Sequence, residues 1–328
     1  MTKISIFSCN SDSPYLKHLI LFTILTLAGL LITGCSNRED HLEIDLDDRV
    51  EGSEVRVNSA SSDADVLRIG FDLRSNPQED ARQYLPFLEY LEKATGYTFE
   101  LVFTPGNDRI VDDLGTGAVQ FAFIGAGSYI QVHSKYGVVP LVHGLNAQGE
   151  ARYQSVIIVP PDSPIRDIED LRGRRFAFGS VTSTQGHLIP RIILAEHGLI
   201  LDDLAAYEYT GSHQNCANAV SAGQFDAGGM QDILGMELAA DGLVHIIYTS
   251  RHYPSSGIAA NIDVPAEILE KVQQALLDFD PQGRDSSNLY HWNMTEMPNG
   301  FVKAEEDDYA DLLEWALVLG FFSDEPRP

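Results

Sequence analysis

The ten residues Phe178-Gly179-Ser180-Val181-Thr182-Ser183-Thr184-Gln185-Gly186-His187 set four hydroxyls between an apolar run and a helical pattern that begins at about Ser183. Amides at a helix start have no preceding carbonyl to pair with and carry partial positive charge. Ser183 and Thr184 add hydroxyl donors at the same point. A tetrahedral oxyanion can be bound this way without a lysine. The same residues also suit an ordinary cap with polar turn residues, and the local sequence leaves both open.

A second candidate is His213, which follows Gly211-Ser212 at or near another helix start. An imidazolium there opposes the helix dipole but can reach a bound anion; a satisfied structural histidine is the plain alternative. His213-x-x-Cys216 puts both side chains on one helical face, as a metal pair needs. With no second pair to complete it, no metal site is expected, and Cys216 is expected to be a small buried residue. Ser128 and Tyr129, after Gly125-Ala126-Gly127, can present an amide and a hydroxyl to a cleft, or can cap and pack. A Gly-x-Ser-x-Gly elbow is missing, and Ser183 has no base partner in the sequence, so an enzyme is not expected. No cofactor is expected either.

Composition narrows the partners. Against 48 Asp and Glu stand 22 Lys and Arg, a formal net charge of −26. That balance argues against nucleic acid, whose phosphates need a basic footprint. It does not argue against a small anion, because charges beyond about 8 Å are screened at physiological ionic strength while hydroxyls and amides act at contact.

The amino-terminal region addresses location. Lys3 and Lys17 precede an uncharged stretch from Leu19 to Thr33, which reads as a signal peptide over residues 1–34. The stretch is shorter than the roughly 20 apolar residues a spanning helix needs. Cys35, after Leu31-Ile32-Thr33-Gly34, resembles the acylated cysteine of a bacterial lipobox, with an uncleaved anchor as the alternative. Either way the remainder is expected outside the cytoplasmic membrane, held to a lipid surface. Residues 36–65 carry ten acidic residues against Arg38, Arg49 and Arg56 and read as a flexible tether. Cys9 goes with the signal and Cys35 carries lipid, so Cys216 has no disulfide partner.

The elements that must position these residues alternate between strands and helices, an α/β pattern. Strands are expected at 66–71, 98–103, 120–125, 153–160, 175–179, 206–209, 225–227 and 244–249. Helices are expected at 84–96, 108–118, from Ser128 to about 137, 183–198, 215–223, 265–279 and 305–319. The turn cluster Pro160-Pro161-Asp162-Ser163-Pro164 suits a crossing between lobes. Residues 66–155 plus 250–328 are assigned to a first lobe and 156–249 to a second. Ligand is expected in the cleft between them.

Several segments together resemble the phosphate, phosphite and phosphonate binding proteins of bacterial ABC uptake transporters, over about residues 66 to 280. These are the serine-threonine turn, Gln120-Phe121-Ala122-Phe123-Ile124-Gly125-Ala126-Gly127-Ser128-Tyr129, Gly211-Ser212-His213 with Asn218-Ala219-Val220, Gly223-Gln224-Phe225-Asp226-Ala227-Gly228, and Tyr248-Thr249-Ser250 with Pro254. The resemblance implies a two-lobe fold of the periplasmic-binding-protein type 2 class with two interlobe crossings. It also implies a monomer that delivers a small oxyanion to an ABC permease. By position, Ser183 and Thr184 fall on the family's oxyanion hydroxyls and His213 on its ligand histidine. Gln185 stands where a third hydroxyl is common. Asn107 and Ile124 stand where the family's tyrosines are frequent, and Ser256 lies near the position of the family's acidic proton acceptor, a role Asp108 or Asp232 could take over. A lipoprotein that senses a ligand for a membrane kinase would share all these residues, as would a binder of another small organic ligand on the same fold.

Overall fold

Apolar runs and amphipathic stretches alternate through two sheets in the computed structural model, which describes residues 66–72, 77–104 and 107–322. The described residues lie within a single unit, Ala60–Pro328. Cys35 and the tether lie outside them. Among the described residues no helix is long and apolar enough to cross a membrane.

The first sheet has six strands. β1 (Val66–Asp72) pairs in parallel with β2 (Thr98–Thr104) and β3 (Phe121–Ile124). β12 (Gly257–Ala260) then runs antiparallel between β3 and β4 (Val139–Gly144), and β13 (Phe301–Lys303) adds the far edge. The parallel strands are linked by α1 (Pro77–Thr95) and α2 (Asn107–Gly115), and α3 (Ala126–Tyr136) follows β3. Every residue of β3 is buried, as parallel strands covered on both faces require. Phe71, Phe87, Phe121 and Phe123 centre this core. Each contributes about 1.5–3 kcal/mol by burial.

The second sheet repeats the plan. β7 (Arg175–Phe178) pairs in parallel with β8 (Ala206–Tyr209) and β9 (Ala227–Gln231), while β6 (Ser155–Val159) and β10 (His245–Thr249) are antiparallel. α4 (Ile189–Glu196), α5 (His213–Ser221) and α6 (Asp232–Ala240) flank it. Two short strands, β5 (Arg152–Tyr153) and β11 (Tyr253–Pro254), pair antiparallel where the chain enters and leaves this sheet. The chain returns to the first sheet through β12 and α7 (Ala266–Leu277) and ends on α8 (Ala310–Val318).

Several sequence expectations change here. The strand expected at 225–227 is Ala227–Gln231, because Asp226 is held by Arg175 at the foot of β7. The helix expected from Ser128 begins at Ala126, with Gly125 at the cap position and no side-chain cap bond. Ser128 is therefore inside the first turn rather than capping it. β4, β12, β13 and α6 were not expected.

Candidate functional site

Four helical starts follow the carboxyl ends of strands and converge on one cavity of about 620 Å³. They follow β3 at Gly125, β7 at Ser183, β8 at Ser212 and β9 at Gln231. Open α/β sheets place ligands at such ends, and the volume falls in the range of small-molecule sites, about 300–1,000 Å³. Among the described lining residues there is no lysine or arginine; the charged groups are Glu79 and Glu296, with His213 and His291 beside them. Among the described lining residues, hydrogen-bond donors are supplied by backbone amides and hydroxyls.

The serine-threonine turn enters the cavity from the second sheet. Ser183 caps a short wide helical turn, Thr184–Leu188, and its Oγ accepts from the Gly186 amide at 2.9 Å. Thr184 is buried, and its Oγ1 accepts from the Gly127 amide at 2.7 Å. This bond crosses the cleft, since Gly127 belongs to α3 on the first sheet. Cap and ligand roles are thus compatible. Each hydroxyl spends a lone pair on an amide and keeps its own hydrogen to donate, and such chains polarise the donor. The approach needs glycine at 127, because a Cβ there would lie 3.0 Å from Thr184 Oγ1 and 3.2 Å from the Thr182 carbonyl.

His213 is the first residue of α5, whose cap is Ser212, and its ring lies beside the same turn: a Cβ on Gly186 would lie 3.0 Å from His213 Cε1. The Gln231 amide donates to His213 Nδ1 at 3.3 Å. A neutral ring accepting at Nδ1 carries its hydrogen on Nε2, a single donor suited to an oxyanion. Cys216 does not join it. The thiol points into the core toward the Ala177 and Gly229 carbonyls, and burial pushes it up to about 12.

The other expected residues divide. Ser128 and Ser256 are buried and line the cavity, and Ser256 Oγ would lie 3.8 Å from a Cβ on Gly125. Tyr129 does not line it. Its ring packs on Tyr309 at 4.0 Å and its hydroxyl faces His133, so this tyrosine is a core residue, with its ionisation pushed up by burial. Gln185 lines the cavity, yet its amide hydrogens go to the Gln154 carbonyl at 2.7 Å and Asp232 at 3.3 Å. It ties the crossing to α6 instead of offering a donor. Asp232 is likewise occupied, accepting from the Gln154 and Ile233 amides, and burial raises its pKa. The side chains of Asn107 and Asp108 lie outside the described residues.

Sequence reasoning missed the wall formed by Glu79, Gln83 and Tyr84 of α1 and by His291, Met294, Thr295 and Glu296. Gln83 donates to the His291 carbonyl and Glu79 lies 3.6 Å from the His291 ring, so the two segments form one surface. His291 has φ 48°, a left-handed conformation rare outside glycine. No local pattern announces this wall.

Comparisons with known proteins bear on the family and the fold. A model of the family described as "ABC transporter, phosphonate, periplasmic substrate-binding protein" matches residues 69–309. The phosphonates-binding periplasmic protein of Escherichia coli K12 is 28% identical over 166 residues, 49% of each chain. A phosphate-import protein of Mycolicibacterium smegmatis is 27% identical over 214 residues, 60% of this chain and 67% of that one. The chain thus spans about half to two thirds of these curated relatives. PhnD1 of Prochlorococcus marinus, solved with methylphosphonate, superposes with a TM-score of 0.68 at 18% identity, covering 78% of this chain and 99% of that one. That likeness supports the periplasmic-binding-protein type 2 fold inferred from the sequence. With the family match covering most of its length, the chain belongs to the periplasmic phosphonate substrate-binding proteins of ABC transporters, a family of binding proteins and not of enzymes.

Proposed function

We propose that this protein is a lipid-anchored solute-binding protein that captures a small oxyanion of the phosphonate, phosphite or phosphate class and delivers it to an ABC permease. The observation that carries the reading is the cavity itself, where four strand-to-helix turns meet and no lysine or arginine is among the described lining residues. Such a site suits an anion small enough to be reached by amides, Ser183, Thr184 and the Nε2 hydrogen of His213 at once. Ligand contacts from both sheets would favour the closed arrangement over an open one. The Thr184–Gly127 bond already joins the two sides. Family membership and the named ligands of the relatives support the same class.

Titration calorimetry with methylphosphonate, phosphite, phosphate and sulfate tests the reading. Saturable binding of at least one phosphorus oxyanion, with a smaller radius of gyration at saturation, is expected. Binding of none of them would sink it. The anchor is checked on the same chain: Cys35→Ala should abolish lipid labelling.

A further inference from the structure

The ligand turn is held from behind by a histidine with no place in the oxyanion contacts. His187 is 2% exposed. Its Nδ1 lies 2.6 Å from the Val181 carbonyl, and its Nε2 lies 3.0 Å from the Tyr209 hydroxyl. A carbonyl only accepts, so Nδ1 carries the hydrogen. In a neutral ring Nε2 then accepts from Tyr209. The ring is boxed by Phe178 at 5.3 Å, Tyr209 at 4.7 Å and Phe321 at 5.0 Å. Burial and the positive charge of Arg191 one turn along oppose an imidazolium and push the group down to about 3.

Val181 itself faces outward, its residue 47% exposed. Hydrophobic burial therefore does not hold it. The turn's own backbone bond joins Ser183 to the Ser180 carbonyl at 3.1 Å. The Val181 carbonyl is turned inward by His187, and this sets the peptide plane leading to Thr182, Ser183 and Thr184.

We infer that His187 is a positioning residue for the oxyanion site: its Nδ1–H, aimed by Tyr209 and by the aromatic box, fixes the Val181 carbonyl and so the turn that presents Ser183 and Thr184. The ligand half of this inference rests on the oxyanion reading above. It differs from a purely structural role in what each variant retains. Phenylalanine at 187 keeps ring volume in the box and loses the donor. Asparagine loses the ring and places its side-chain amide near the Nδ1 position.

The test is this crossed pair, His187→Phe and His187→Asn, read by methylphosphonate titration, by thermal melting and by amide hydrogen exchange over residues 180–186. His187→Phe should melt below the wild type, because the Val181 carbonyl and the Tyr209 hydroxyl lose their partner, bind about tenfold more weakly, and exchange faster in the turn. His187→Asn should melt lower while retaining near wild-type affinity and slow exchange. Affinity that follows melting temperature across both variants, or a His187→Phe protein with wild-type affinity and exchange, overturns the inference. The exchange readout needs no ligand. If the wild type bound no oxyanion, the functional reading alone would fall, and unchanged exchange in His187→Phe would still reject the positioning role.

Discussion

A hydroxyl that caps a helix and a hydroxyl that binds an anion use opposite ends of the same group, and that governs what mutation of the turn should do. Ser183 accepts from Gly186 and Thr184 accepts from Gly127, so each has a structural acceptor role and a free donor role. Ser183→Ala removes both. Losing the cap should cost about 0.5–2 kcal/mol of stability. Losing a hydrogen bond to a charged ligand should cost about 1.5–3 kcal/mol of binding, roughly ten- to a hundredfold in affinity. Thr184→Val should weaken binding by the same order, because it also removes the bond across the cleft, whereas Thr184→Ser should stay close to the wild type. Calorimetry against methylphosphonate with parallel melting curves separates the two effects. A Thr184→Val protein that binds as tightly as Thr184→Ser would place the ligand elsewhere. These two residues and His213 were legible in the sequence because a strand, a hydroxyl or glycine turn and a helix follow one another locally. Glu79 and Glu296 were not, since they reach the cavity only through the long-range packing of α1 against the 291–296 segment. For Tyr129 the sequence left cleft and core both open, and the core reading is the one the fold takes: a step of one residue past Ser128 on a helix turns the side chain about 100° toward Tyr309.

At the element scale, the second sheet depends on how β7 and β9 are started in register. Arg175 and Asp226 form a two-pronged pair, with Nη2–Oδ1 at 2.8 Å and Nε–Oδ2 at 3.2 Å, and the Arg175 amide also donates to Asp226 at 2.8 Å. The guanidinium hydrogen bonds hold the Asp226 carboxyl below its ordinary range. A depressed carboxylate stabilises the fold above its unfolded pKa, and that contribution is lost as pH falls through the folded value. Asp226→Asn should therefore melt below the wild type at neutral pH, with the gap closing on acidification below about pH 4. A gap that stays constant down to pH 3 would show that the pair contributes through packing alone. The same scale explains which strands were legible. β1, β2 and β7 alternate or run apolar with β-branched and aromatic residues. β12 is Gly257-Ile258-Ala259-Ala260, too short and small to signal a strand, although it is buried throughout between β3 and β4. β4 contains Pro140, normally an argument against an inner strand. It is tolerated because Pro140 faces Ala259 at a register shift and lies beyond the end of β13. α6 carries Gly235 in its middle, where a Cβ would lie 2.4 Å from a methyl of Val156, so close packing on β6 overrides the low helix propensity.

For the whole molecule, the net charge of −26 and an anionic ligand act on different steps of binding. On the proposed oxyanion reading, contacts from amides and hydroxyls at about 3 Å would lie well inside any screening length and would set the dissociation rate. The approach of the anion is set by the long-range field, and that field is negative here, with Glu79 and Glu296 on the cavity wall. The Debye length falls from about 30 Å at 0.01 M salt to about 8 Å at 0.15 M. Raising the salt should therefore speed association, the reverse of the usual steered encounter, by an amount on the order of two- to tenfold. Dissociation should change little. Stopped-flow measurement with methylphosphonate at 0.01 M and 0.15 M sodium chloride, at fixed pH, reads both rates. An association rate that falls with salt would mean that the four helix starts project a positive field beyond the cavity mouth, and that the net charge does not govern the approach. Equal affinities at the two salt concentrations would require the dissociation rate to rise in step, which contact-range donors do not predict.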